Sequence, residues 1–249
     1  MKISERNLKL TVAYDGGAYH GFQRQNNALA VQNILEEKLA LVFGQSISLV
    51  SSGRTDTGVH AIGQVISFVT NCSIPIDRVV RAANSYLPDD IVVTSAEVVP
   101  ESFHARYSAI SKTYLYRIQQ GETLNPFLRN YTWYLRNPLD INKMRAALQI
   151  IEGTHDFSAF QAAGSVKMNP LRTIYQAECQ VVGDILEFTF FGNGFLYHMV
   201  RNIMGTIVNV GKGKTTIDNF SSILAGRDRT KAGATAPAQG LYLKEVNYE

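Results

Sequence analysis

Arg54 and Asp56 are the only charged side chains between Leu39 and Ile76, and both fall in the run Gly53-Arg-Thr-Asp-Thr-Gly-Val-His-Ala61. A guanidinium and a carboxylate two positions apart in a long neutral stretch must be paired or put to use, because an unpaired charge withdrawn from water is too costly to keep. Two readings are open: a salt bridge that staples a turn, or a carboxylate presented to a ligand. Gly53 and Gly58 bracket the charges, and glycine permits the tight turns and close backbone approach that expose a short side chain. The density of small, hydrogen-bonding residues around the pair shifts weight toward function. A glycosidase would also aim an aspartate at an anomeric carbon, but it needs a second carboxylate, and the run holds none.

Arg201 is isolated in the same way, as the only charged residue between Phe188 and Gly211. Phe195, Leu196, Met199, Val200, Ile203, Met204, Ile207 and Val208 recur at helical spacing and predict a core-facing helix over 195–210. At about 100° per residue Arg201 lies opposite that stripe, near His198 and Gly205. A face without Lys or Glu is expected to meet protein or a cleft, where the arginine either caps a structural carboxylate or serves a site. Tyr114 and Tyr116 alternate with Leu115 and Arg117 on a predicted strand, where tyrosines ordinarily serve the core or the strand's own β-propensity. The five histidines show no ligand spacing, so no metal is expected, and His60 reads as a loop-ordering hydrogen-bond partner. Gly192-Asn193-Gly194 lacks the third glycine of a dinucleotide fingerprint and Gly211-Lys212-Gly213-Lys214 is no P-loop, so no cofactor is expected.

These residues need a scaffold. Periodicity predicts strands at 8–14, 47–51, 64–69 and 91–99, with helices at 31–43 and 77–86. In the second half it predicts a strand at 114–119, a helix at 141–151, and a hairpin of 174–182 and 185–191 turned at Gly183-Asp184. Helix and paired strands thus recur in each half, which points to α+β subdomains of similar build over 1–105 and 106–249. The chain has 249 residues and 45% hydrophobic content, ample for this. Its net charge of +3 is only mildly basic, so a polyanion site would depend on local clustering. The two cysteines match no metal spacing, and there is no signal-peptide pattern or transmembrane run, so a cytoplasmic protein without a membrane partner is expected.

The Gly53–Ala61 run resembles the catalytic loop of the tRNA pseudouridine synthase A family. Seven further stretches agree in order: YDGGAYHGFQ (14–23), VQNILEEKL (31–39), FHARYSAISKTYLY (103–116), NPF (125–127), GTHDF (153–157), NGFLYHMVRNI (193–203) and APAQGLYL (236–243). The resemblance covers nearly the whole chain. It implies two antiparallel sheets flanked by helices and joined around a central RNA-binding cleft, and a homodimer. It also implies isomerisation of uridine to pseudouridine at positions 38, 39 and 40 of the anticodon arm of tRNA, without a cofactor. Asp56 would be the catalytic carboxylate, Arg201 its partner and Tyr114 the residue stacked on the target base. Arg54, Lys112, Arg24 and Leu241 would complete the substrate-binding set, with Arg106, Arg129, Lys167, Arg172 and Lys231 as further candidates for phosphate contact. Phe22 stands where the family usually has tryptophan, and Gly17 where it often has threonine. A non-catalytic RNA-binding module is the alternative, yet it gives no reason for a lone acid in an RNA groove.

Overall fold

The computed structural model describes residues 5–162 and 169–249, and the chain divides into two compact units. The first runs to Ile110 and regains Leu243–Glu249; the second is Ser111–Tyr242. The division thus falls after Ile110, and the C-terminal residues return to the first unit.

The first unit contains β1 (Arg6–Tyr14), α1 (Val31–Phe43), β2 (Val50–Ser51), β3 (His60–Thr70), α2 (Ile76–Asn84) and β4 (Ile91–Val99). β1 lies between β3 and β4, antiparallel to both, with Leu8 opposite Phe68 and Val98. Leu8, Leu10 and Val12 alternate into the core and are fully buried, as the period of two requires. α1 buries Val31, Leu35, Leu39 and Phe43, an i, i+4 stripe, and Asn33 Oδ1 accepts the Ala30 N–H at its start. β3 is buried on both faces and begins at His60, so the loop carrying Asp56 runs straight into a core strand. The expected strand at 47–51 shrinks to Val50–Ser51 because the Leu49 N–H is donated to Glu36 Oε1 rather than to a neighbouring strand.

The second unit contains β5 (Ser111–Gln120), β6 (Trp133–Leu135), α3 (Ile141–Ile150), β7 (Gly153–Asp156), β8 (Leu171–Val182), β9 (Ile185–Gly192), α4 (Met199–Gly211) and α5 (Ile217–Gly226). The last strand, β10 (Leu241–Asn247), closes the chain, its end lying beside β3 in the first unit. β5, β9, β8 and β7 are antiparallel neighbours, and β6 adds to β5 in parallel. The hairpin turns where expected: Val182 faces Ile185 across Gly183 and Asp184. α3, α4 and α5 pack together, and α3 also packs on β8.

α4 starts at Met199, four residues later than the apolar stripe predicts. His198 is left-handed at φ 63°, a conformation that cannot continue a right-handed helix, so Phe195 and Leu196 sit in the preceding loop. Among the described residues no helix is long and apolar enough to cross a membrane.

Candidate functional site

The Asp56 loop is clamped to the 14–23 segment through backbone and buried hydroxyls. The Phe22 N–H donates to Thr55 O and the Gly58 N–H to Tyr19 O, while within the loop the Val59 N–H donates to Asp56 O, at 3.1–3.3 Å. Beneath it the Tyr14 and Thr55 hydroxyls share a 2.7 Å hydrogen bond, and burial pushes the Tyr14 phenol up to about 12, so the bond stays neutral at ordinary pH. Gly21, at φ 85°, lets the two segments touch: a Cβ there would stand 2.7 Å from Thr55 O. With Thr55 and Val59 turned into the core, Asp56 is half-buried and Arg54 exposed. The loop therefore offers a carboxylate on a hydrogen-bonded backbone, with a guanidinium two residues before it.

His60 is buried behind this loop, its Nδ1 3.1 Å from the Gly16 N–H and 3.0 Å from Asp15 Oδ1. It orders the loop's exit into β3, as the sequence suggests. Arg24 is exposed and engaged: its Nη1 lies 2.8 Å from Glu36 Oε2, a carboxylate that also accepts from Gln32 and Leu49. Arg106 stands exposed in the same unit.

In the second unit Tyr114 is half-buried on β5, its ring edge-on to Phe195 at 5.0 Å between centroids. That contact exists because α4 begins late and frees Phe195 from the helix. Lys112 lies on the same strand, opposite Gly192. Arg201 Nε donates to Ala236 O at 2.8 Å while the Ala236 N–H donates to Arg201 O, so helix and 232–240 segment are tied by a two-way bond. Next along that segment, the Tyr116 hydroxyl donates to Pro237 O at 2.8 Å. Burial raises the Tyr116 phenol far above its ordinary value, opposed by the positive charge of Arg201. Leu241, at the start of β10, is buried, with 5% of its surface exposed. The polar side of α4 does face protein: Asn202 Nδ2 donates to Phe160 O, and Thr206 is buried. Arg129 and Lys231 are exposed, Arg172 is half-buried, and Lys167 lies outside the described residues.

Asp56, Arg54 and Arg24 thus belong to the first unit and Tyr114, Lys112, Arg201 and Leu241 to the second. Thr55, Tyr14, Phe195 and Tyr116 position these groups and were not singled out for that from sequence. The glycine spacing of the 14–23 block was the available signal, since close backbone approach is what such glycines permit.

Comparison with known proteins decides the family. The family model described as tRNA pseudouridine synthase matches residues 10–108 and 147–249. Relatives called tRNA pseudouridine synthase A are 48% identical in Thermoanaerobacter sp. (strain X514), covering 98% of this chain and 100% of the relative. One from Geobacillus sp. (strain WCH70) is 47% identical over 98% of this chain and 99% of its own length. The chain belongs to the tRNA pseudouridine synthase A family. It is accordingly an isomerase that binds tRNA and converts uridine to pseudouridine. The family-model match takes in the Asp56 loop, Arg201 and Leu241 and leaves out 109–146, the part of the chain holding Lys112 and Tyr114. The full-length relatives span that part too.

Proposed function

We propose that this enzyme isomerises uridines 38, 39 and 40 in the anticodon stem-loop without a cofactor, using Asp56 as its reacting carboxylate. The observation that carries this is the fixed loop: a half-buried carboxylate on a backbone held by three hydrogen bonds and a buried hydroxyl pair. Isomerisation breaks the bond from uracil N1 to ribose C1′, rotates the base and closes a bond from C5, with a proton leaving C5 and one gained at N1. Substrate and product have the same atoms, so no oxidant or ATP is consumed. Attack of Asp56 on C1′, attack on C6, or proton removal at C2′ would each use the carboxylate. Arg201 is assigned as its charge partner, and Arg54 as the fork that holds a phosphate of the extruded nucleotide. Lys112, Arg24 and Leu241 complete the substrate contacts. Unmodified tRNA incubated with the enzyme, derivatised at pseudouridine and read by primer extension, should show stops at 38–40 with no free uracil. Stops only elsewhere in the tRNA, or released uracil, would overturn the assignment.

Tyr114 is assigned to the detached base, because a base removed from its helix needs a π-surface to replace lost stacking. Tyr114→Phe should keep tRNA affinity and the edge contact with Phe195 while slowing any step that uses the hydroxyl. Tyr114→Ala should lose about 1 to 3 kcal/mol of stacking in addition. Equal behaviour of the two variants in single-turnover assays would remove the base from this residue.

The functional unit is assigned as a cytoplasmic homodimer. A net charge of +3 gives one chain little long-range pull on tRNA, and a second copy doubles the basic surface available. Sedimentation should show a dimer, and tRNA affinity should fall steeply with salt. A monomer fully active at nanomolar concentration would contradict it.

A further inference from the structure

The turn at 103–108 carries an aromatic that neither the core nor the proposed chemistry uses. Tyr107 is 76% exposed, yet the turn beneath it is firmly built. Asn7 Nδ2 donates to Pro100 O and Phe103 O, the Ala105 N–H to Ser67 Oγ, and the Tyr248 hydroxyl to Ala105 O. Phe103 packs on Tyr248 at 5.0 Å between ring centroids, and Ala105 is fully buried. Above this base the His104 N–H donates to Ser108 Oγ and the Ser108 N–H to His104 O, which closes the turn.

The turn also fixes the histidine. The N–H groups of Arg106 and Tyr107 both point at His104 Nδ1, at 3.2 Å each, so Nδ1 is an acceptor and the ring's proton sits on Nε2. The imidazole is therefore held in one orientation by the turn's own backbone. The Tyr107 ring stacks on it, with centroids 4.3 Å apart and planes 25° from parallel, and the Arg106 guanidinium lies 5.6 Å from the Tyr107 ring centre.

A large ring left in water gains nothing from burial, but one pre-stacked on a fixed partner has already lost the freedom that binding would otherwise remove. Nucleobases stack on aromatic side chains whatever their sequence, and a neighbouring arginine can meet the phosphate that accompanies the base. The macromolecule this family acts on is tRNA. We infer that Tyr107, backed by His104 and flanked by Arg106, is a stacking platform for an unpaired tRNA base other than the reacting uridine. The inference rests on tRNA as substrate, and on neither the positions modified nor the role of Asp56.

The test is binding of the full chain to an unmodified tRNA transcript by filter retention across a salt series. Tyr107→Ala should weaken binding about 5- to 150-fold with its salt slope unchanged, and Tyr107→Phe should bind within about three-fold of wild type. Arg106→Gln should lower the slope by about 1 instead. Single-turnover rates at saturating enzyme should stay at the wild-type value in Tyr107→Ala. Binding by Tyr107→Ala within two-fold of wild type, or Phe as weak as Ala, would overturn the platform. A loss that tracks a changed sedimentation coefficient would overturn it too, by making the ring a contact between copies of the chain. Failure of the tRNA reading itself is distinguishable, because the wild-type enzyme would then not retain the transcript.

Discussion

Asp56→Ala is expected to abolish pseudouridine formation while leaving tRNA affinity within a few-fold of wild type. The two halves of this expectation come from different parts of the structure. Asp56 is half-buried in a loop whose position is set by Thr55, Gly58 and Val59 backbone groups and by the Tyr14 to Thr55 bond, none of which uses the Asp56 side chain. Truncation should therefore leave the loop in place, and phosphate contacts made elsewhere supply most of the affinity for tRNA. The rate is another matter, because a reacting carboxylate has no substitute in its run: the charged neighbour is Arg54, of the wrong sign. Loss of a nucleophile in a preorganised site costs about 10⁴-fold or more, so single-turnover assays with saturating enzyme should show a flat trace. Asp56→Asn should be equally inactive, since shape without charge does not serve. Turnover by either variant near the wild-type rate would remove Asp56 from the chemistry.

The Asp56 loop was legible in the sequence because its two charges stand in a neutral stretch, and isolation of that kind needs no structure to be noticed. The strands were legible where alternation was clean, as at Leu8, Leu10 and Val12, and the 91–99 strand appears with the bounds that its pattern predicts. Patterns failed where the decisive event was a single backbone bond or angle. The apolar stripe from Phe195 to Val208 continues across a helix boundary because hydrophobic spacing reports burial, and in the loop before the helix Leu196 is buried and Phe195 half-buried. The break comes from one left-handed residue, His198, a type for which that conformation is not the default. The strand expected at 47–51 was overextended for a comparable reason, since Glu36, on α1, takes the Leu49 N–H. α5 went unread because its core contact rests on two residues, Phe220 and Leu224, too few for a periodic signal. Its start is nonetheless written in Thr216, whose hydroxyl accepts the Asn219 N–H.

The assigned charge partnership of Asp56 and Arg201 is tested most sharply by a double-mutant cycle. Arg201 already spends its Nε on Ala236 O and its backbone carbonyl on the Ala236 N–H, so its guanidinium is oriented by the 232–240 segment and ultimately by Tyr116 holding Pro237. An arginine fixed in this way can offer its two terminal nitrogens as a fork at little further entropic cost. Arg201→Met should then do two things: loosen the 232–240 segment, and leave Asp56 without its counter-charge. Both lower stability, by about 1 to 3 kcal/mol together given that Asp56 is only half-buried, and activity is lost with them. Arg201→Lys should keep part of the activity, because a positive charge remains while the fork and the Nε bond are gone. The diagnostic variant is Arg201→Met with Asp56→Asn. Removing the orphan charge should recover the electrostatic part of the lost stability, without recovering catalysis, and the part due to the Ala236 bond should stay lost. Chemical denaturation of all four proteins separates the two contributions. Stability changes that add strictly would show that the two side chains do not interact, and Arg201 would then act only as the tie between α4 and the 232–240 segment.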